Sequence, residues 1–233
     1  MIVSYIFYIL ELFIFSCYYK LYIYFKRLEE DKLMMNITYV LDNKLYLNIT
    51  NKCPCSCIFC IRKNGDGAYG SDSLWLDHQP TKEEVIESLS KEDLDKYDEI
   101  IFCGFGEPTC ELEILISAAK YLREHTKTPI RINTNGLTDL IHSKENTIER
   151  MKGLFDVVSI SLNASTSEEY CRVTRPSYGQ DAFYCMINFA KRAKELFPKV
   201  LLSVVDIIDE EEIEKCRKLC DSLGITLRVR EFW

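Results

Sequence analysis

Histidine is scarce in this chain of 233 residues: only His78, His125 and His142 occur, and they are far apart. No pair of them is placed for acid–base work, so chemistry that leans on imidazole is not the first expectation. Positive charge is also short. With 29 Lys and Arg against 36 Asp and Glu, the net charge of −7 argues against a sequence-independent grip on nucleic acid. A local basic rim is the only route left to RNA, and a small nucleobase, peptide or metabolite suits the surface better. No internal repeat and no low-complexity linker is present, which excludes a solenoid or a string of modules. Basic and acidic residues alternate along the helical stretches, the pattern of solvated faces.

Cysteine, by contrast, is plentiful, with 11 residues, four of them crowded into Asn-Lys-Cys53-Pro-Cys55-Ser-Cys57-Ile-Phe-Cys60. An odd total and an ordinary buried α/β interior argue against a secreted disulfide framework. A structural zinc would want two separated knuckles, and none follows at that spacing; Cys216 and Cys220 lie four apart on a helical stretch. A ferredoxin would want a Cys-x2-Cys-x2-Cys-x3-Cys run, which is also missing. Three thiolates at Cys53, Cys57 and Cys60 can hold three corners of a [4Fe–4S] cube and leave the fourth iron open for chemistry. Side chains alternate along a tight loop, so Cys55 is expected to point away from the cube and act as a small filler.

A second motif follows. Glu99 to Cys103 is an apolar run of strand character that Gly104 and Gly106 interrupt, and Glu107-Pro108-Thr109 opens a helical pattern. Further strands are expected at Lys44–Ile49, Ile130–Thr134, Val157–Leu162, Val200–Asp206 and Thr226–Arg230. Helices are expected at Lys82–Leu89 behind the capping box Thr81-x-x-Glu84, then at 110–124, 144–152, 181–196 and 210–223. Alternation of this kind implies an α/β fold with a parallel sheet and right-handed crossovers. About 199 residues are too few for an eight-unit barrel of ~250, so a partial (β/α)6 TIM-like barrel is the best fit. Such barrels work at the C-terminal ends of their strands. That makes Asn133, Ser161 and Asn163 candidate ligand-binding residues, with ordinary strand-end or cap roles as the competing explanation. Arg175 with Pro176, Ser203, Asp206, Arg228, Arg230 and Glu231 would face the mouth or its rim, most of them as solvated groups. Arg62 to Asp66 follow the cysteines directly, where they would close over the site or meet a redox partner.

The Cys-x3-Cys-x2-Cys spacing with Phe59 before its last cysteine resembles the radical S-adenosylmethionine (SAM) superfamily. Phe105-Gly106-Glu107-Pro108 is similar to that superfamily's Gly-Gly-Glu-Pro, with Phe in place of the first glycine. The resemblance implies that the three cysteines ligate a [4Fe–4S] cluster and that Gly104, Gly106 and Glu107 position SAM. It also places Phe59 near the adenine and Asn133, Ser161 and Asn163 on the SAM side. Reductive cleavage of SAM would give methionine and a 5′-deoxyadenosyl radical that takes hydrogen from a substrate not yet identified. An electron donor of flavodoxin or ferredoxin type is implied as a partner. A non-catalytic iron–sulfur or zinc binding module is the alternative from another class.

Over Asn36 to Trp233 the order of motifs resembles the TatD-linked radical SAM proteins more closely still. Ser-Leu-Trp-Leu (73–76), Asn-Thr-Asn-Gly-Leu (133–137), Ser-Ile-Ser-Leu-Asn-Ala (159–164) and Thr-Arg-Pro (174–176) carry that likeness. It implies a TatD-type nuclease as a possible partner. Size and layout are also similar to 7-carboxy-7-deazaguanine synthase, an analogy toward nucleoside-modifying chemistry. Without a cysteine-rich C-terminal extension, auxiliary clusters are not expected.

Residues 1–34 form a separate hydrophobic extension. Met1 to Tyr19 is apolar apart from Glu11, and as a helix would extend about 28 Å, near a bilayer core. Lys20, Lys26 and Arg27 follow, so an inserted helix would leave the catalytic domain, 35–233, in the cytoplasm. No basic n-region precedes it, so it is not a secretory signal. A carboxylate at mid-span costs on the order of 3 kcal/mol. Met34 and Met35 just before the family-like start offer the rival explanation of a later translation start, and a partner helix is the third.

Overall fold

The structure, a computed structural model, describes residues 35–232 apart from residues 69 and 145. The expectations for the hydrophobic extension 1–34 lie outside the described residues. Among the described residues, no helix is long and apolar enough to cross a membrane.

Seven strands form one sheet in the spatial order of the sequence. β1 (Thr38–Leu41) and β2 (Lys44–Leu47) make an antiparallel hairpin; β2 matches the strand expected at Lys44–Ile49, and β1 is an addition to the expected strands. Its two-residue turn is Asp42-Asn43, both left-handed at φ 47° and 57°, the conformation a type I′ turn needs and short polar side chains tolerate. β3 (Glu99–Phe102), β4 (Ile130–Thr134), β5 (Val157–Ser161), β6 (Lys199–Val205) and β7 (Thr226–Arg230) then follow β2 in parallel. Neighbouring parallel strands need crossovers, and the helices supply them: α1 (Lys82–Ser90), α2 (Leu112–His125), α3 (Thr138–Ile141), α4 (Ser167–Thr174), α5 (Asp181–Leu196) and α6 (Glu210–Leu223).

Side-chain alternation divides the sheet into two faces. Leu47, Phe102, Ile132, Val158, Ile160 and Leu202 are almost wholly buried on one face, and Leu115, Ala119 and Leu122 of α2 and Met186, Ala190 and Ala193 of α5 are buried with them. On the opposite face Tyr46, Asn133, Ser161, Val205 and Arg230 line a common cavity, together with Tyr39 of β1. Residues from both edge strands therefore look into one space, which is the geometry of an open, partial barrel.

Two helical expectations need correction. Residues 144–152 hold only a 3₁₀ turn, Thr147–Met151, beside the one-turn α3. α4 was missed, although Thr166 caps it by accepting a hydrogen bond from the backbone N–H of Glu169, a Thr-x-x-Glu signal legible in the sequence. The stretch opening at Pro108 is a 3₁₀ turn, Pro108–Glu111, before α2 begins.

Candidate active site

The loop after β2 carries the four crowded cysteines, and the thiols of Cys53, Cys55, Cys57 and Cys60 all border a cavity of about 280 Å³ at the C-terminal ends of the strands. Its backbone is clipped to the end of α4. Ser56 N–H donates to Thr174 O at 3.0 Å, Ile58 N–H to Val173 O at 2.9 Å, and Ser177 N–H to Pro54 O at 2.9 Å. Thr174-Arg175-Pro176 thus seats the cysteine loop, with Arg175 turned into the left-handed region to end the helix. Arg175 itself is exposed, as expected of a rim charge, and it is the backbone of this segment that does the docking.

Cys55 does not point away. It is buried, bordering the cavity beside Cys53 and Cys57, with Asn135 Nδ2 3.9 Å from its sulfur. The contact with Cys55 is the main reason the Cys53 and Cys57 thiols lie below their ordinary range, while Cys55 is pushed far up and stays protonated. Alternation failed as a guide because Cys55 forms a β-bridge to Pro176, which turns its side chain inward.

Glu107 lies at the end of the β3 loop and is 5 % exposed. Its Oε1 accepts from Thr109 N–H at 3.1 Å, Thr109 Oγ1 at 2.8 Å and Thr134 Oγ1 at 2.6 Å; Oε2 accepts from Asn135 N–H at 2.7 Å. Its own N–H donates to Lys52 O at 2.8 Å. One residue therefore ties together the loops after β2, β3 and β4. Burial raises its pKa, against the four donors that favour the carboxylate.

Gly104 and Gly106 border the cavity, but their lack of a side chain serves protein packing. A Cβ on Gly104 would stand 2.1 Å from Asn48 Oδ1, and one on Gly106 would stand 2.2 Å from Thr50 O. Asn48 fills the first gap and accepts from Phe105 N–H at 3.1 Å. Phe59, Asn133, Ser161 and Asn163 also line the cavity, so the structure brings the predicted site residues together. Asn163 is left-handed at φ 60°, and its N–H donates to Ser203 O at 3.2 Å. Asn133 Oδ1 and Asn163 Oδ1 are buried acceptors with no partner.

The description "Radical SAM superfamily" fits residues 47–220. The chain belongs to the radical SAM superfamily. It carries that superfamily's domain over these residues. Among solved structures, SuiB of Streptococcus suis bound to S-adenosylmethionine matches with a TM-score of 0.58 at 20 % identity, over 81 % of this chain and 38 % of that one. A radical SAM methyltransferase from Sphaerobacter thermophilus matches with a TM-score of 0.56 at 15 % identity, over 83 % of this chain and 68 % of the other. At such identities the likeness is one of fold, and the chain spans well under half the length of the SuiB chain. A comparison with curated proteins gives no match.

Radical SAM chemistry needs a cluster seat and a SAM seat, and the residues present fit both. Three cysteine thiols, two of them biased toward thiolate, form the donor set a cube requires. Among the described residues, no three His, Cys, Asp or Glu side chains are grouped closely enough to hold a single metal ion. A cube takes one thiolate per iron, so its ligands stand farther apart than those of one ion. For SAM, the orphaned acceptors of Asn133 and Asn163 are what a ligand rich in N–H and O–H donors would satisfy. Sequence reasoning missed Tyr39, Tyr46, Cys103, Tyr170 and Phe232 on the cavity wall. Cys103 lay within a motif and Tyr46 on the expected strand Lys44–Ile49, whereas Tyr39 belongs to the unexpected β1 and Tyr170 to the missed α4.

Proposed function

We propose that this chain is a radical SAM enzyme, that it holds a [4Fe–4S] cluster on Cys53, Cys57 and Cys60 and SAM in the adjoining cavity, and that it acts on a small molecule or peptide. When bound, such a pair supplies one electron to the sulfonium of SAM and yields methionine and a 5′-deoxyadenosyl radical that abstracts a substrate hydrogen. The observation that carries this reading is the meeting of three cysteine thiols and two unmet buried acceptors on one cavity.

In this reading Glu107 has a lone pair of Oε2 left for an ammonium, since Oε1 already accepts three bonds and Oε2 one. Asn133 and Asn163 accept from hydroxyl or amino groups of SAM, Ser161 ends β5 beside them on the cavity wall, and Phe59 offers a ring face to the adenine. Leu74, Phe105 and Val205, all buried, keep water from the reacting centre. The electron comes from a low-potential carrier of flavodoxin or ferredoxin type. The motif order supports a TatD-linked member and a TatD-type nuclease as neighbour; the deazaguanine synthase analogy supports a nucleobase-like substrate.

The test is anaerobic. Residues 35–233 are purified, reconstituted with iron and sulfide, and given dithionite and SAM. Formation of 5′-deoxyadenosine with about four irons per chain supports the proposal. Uptake of zinc alone, with no SAM cleavage, would return the chain to a binding module.

A further inference from the structure

Arg62 follows the cysteine loop on a single 3₁₀ turn, Ile61–Lys63. Its Nε lies 3.4 Å from Cys60 Sγ and donates to it, while its Nη1 donates to Asn51 O at 3.1 Å. The guanidinium also stands over the indole of Trp75, 5.9 Å from the ring centroid. Trp75 is 40 % exposed on its outer side, and inward it meets Phe105 edge-on at 5.0 Å. Phe105 is 4 % exposed and packs with Ala68 and Leu74. Phe105 is the residue that stands where the superfamily motif has its first glycine. The departure thus supports a stack running Phe105, Trp75, Arg62, Cys60.

We propose that Arg62 is a positioning residue that sets the potential of the cluster, with Trp75 and Phe105 holding its guanidinium against the sulfur of Cys60. The inference rests on the assignment of Cys60 as a cluster ligand. A cationic N–H given to a ligand sulfur stabilises the reduced, more negative cluster, so it raises the potential. A flexible lysine or a solvated arginine would not hold that direction. Two anchors do so here, a carbonyl and a ring face, each on a different segment of chain.

The experiment is a redox titration of the reconstituted protein without SAM, followed by the electron spin resonance of the reduced cluster. Arg62→Gln is expected to keep the iron content and lower the midpoint by about a tenfold change in equilibrium constant, ~59 mV for one electron. Trp75→Ala should shift it the same way by less, and the double variant should go no lower than Arg62→Gln, because Trp75 acts through Arg62. An unchanged midpoint in Arg62→Gln at full iron content overturns the proposal. If Arg62→Gln fails to load, Trp75→Ala decides in its place: an unchanged midpoint overturns, a lowered one supports. A wild-type chain that takes up no cluster overturns the ligand assignment instead, a failure visible before any titration.

Discussion

A carboxylate enclosed by protein keeps its charge only if enough donors face it, and Glu107 has four. Replacing it with Gln would turn an amide N–H₂ or a lone acceptor toward Asn135 N–H and the Thr134 hydroxyl. We expect Glu107→Gln to lower stability by about 1–3 kcal/mol, measured by urea unfolding, and to loosen the loops after β2 and β4 together. Cys57→Ser should remove both the brown colour and SAM cleavage; a variant that kept its visible spectrum would exclude Cys57 as a ligand. These residues were legible because chemistry fixed their spacing. The inward turn of Cys55 was not, because it depends on a bridge to Pro176, more than a hundred positions away.

Between elements, the tightest constraint is the seam of the β2 and β3 loops. Gly106 has no side chain because Thr50 O and Lys52 O would lie 2.2 and 2.7 Å from its Cβ. Gly106→Ala must push away the backbone that leads into Cys53. The expected result is a loss of about 1–3 kcal/mol together with reduced iron uptake, read from the same purified sample. By contrast Leu115→Ala, under the sheet in α2, should cost about 2–5 kcal/mol and leave the iron content per folded chain unchanged. Four of the five parallel crossovers were readable from hydrophobic periodicity; the one between β4 and β5 was not, because its helical pieces are single turns. The β1–β2 hairpin was not: Thr38–Leu41 is four residues with only partial burial, too short and too mixed to stand out.

For the molecule as a whole, buried thiols set an alkaline limit. Cys216 and Cys220 are fully enclosed on the inner side of α6, and burial raises them from an ordinary 9.0 to about 12 and about 11. The unfolded chain then releases these protons first as pH climbs past 9, so stability falls between about pH 9 and about 12. Thermal melting across that range should show the decline, and Cys216→Ala with Cys220→Ala should flatten it while lowering stability at neutral pH. The fold class was readable from the alternation of strands and helices, and so were the motif residues of the cavity; Tyr39, Tyr170 and Phe232 on its wall were not, since their arrival depends on how far the sheet curls.

That curl also fixes an order of events in time. The cavity wall includes Tyr39 and Tyr46 from the first hairpin and Arg230 and Phe232 from β7 and just beyond. Synthesis runs from the N-terminus, so the cysteine loop leaves the ribosome long before its far wall exists. Until β7 pairs with β6, the cavity that the cysteines border lacks its wall at Arg230 and Phe232. On the proposed function, iron and sulfide are best delivered only after β7 has paired.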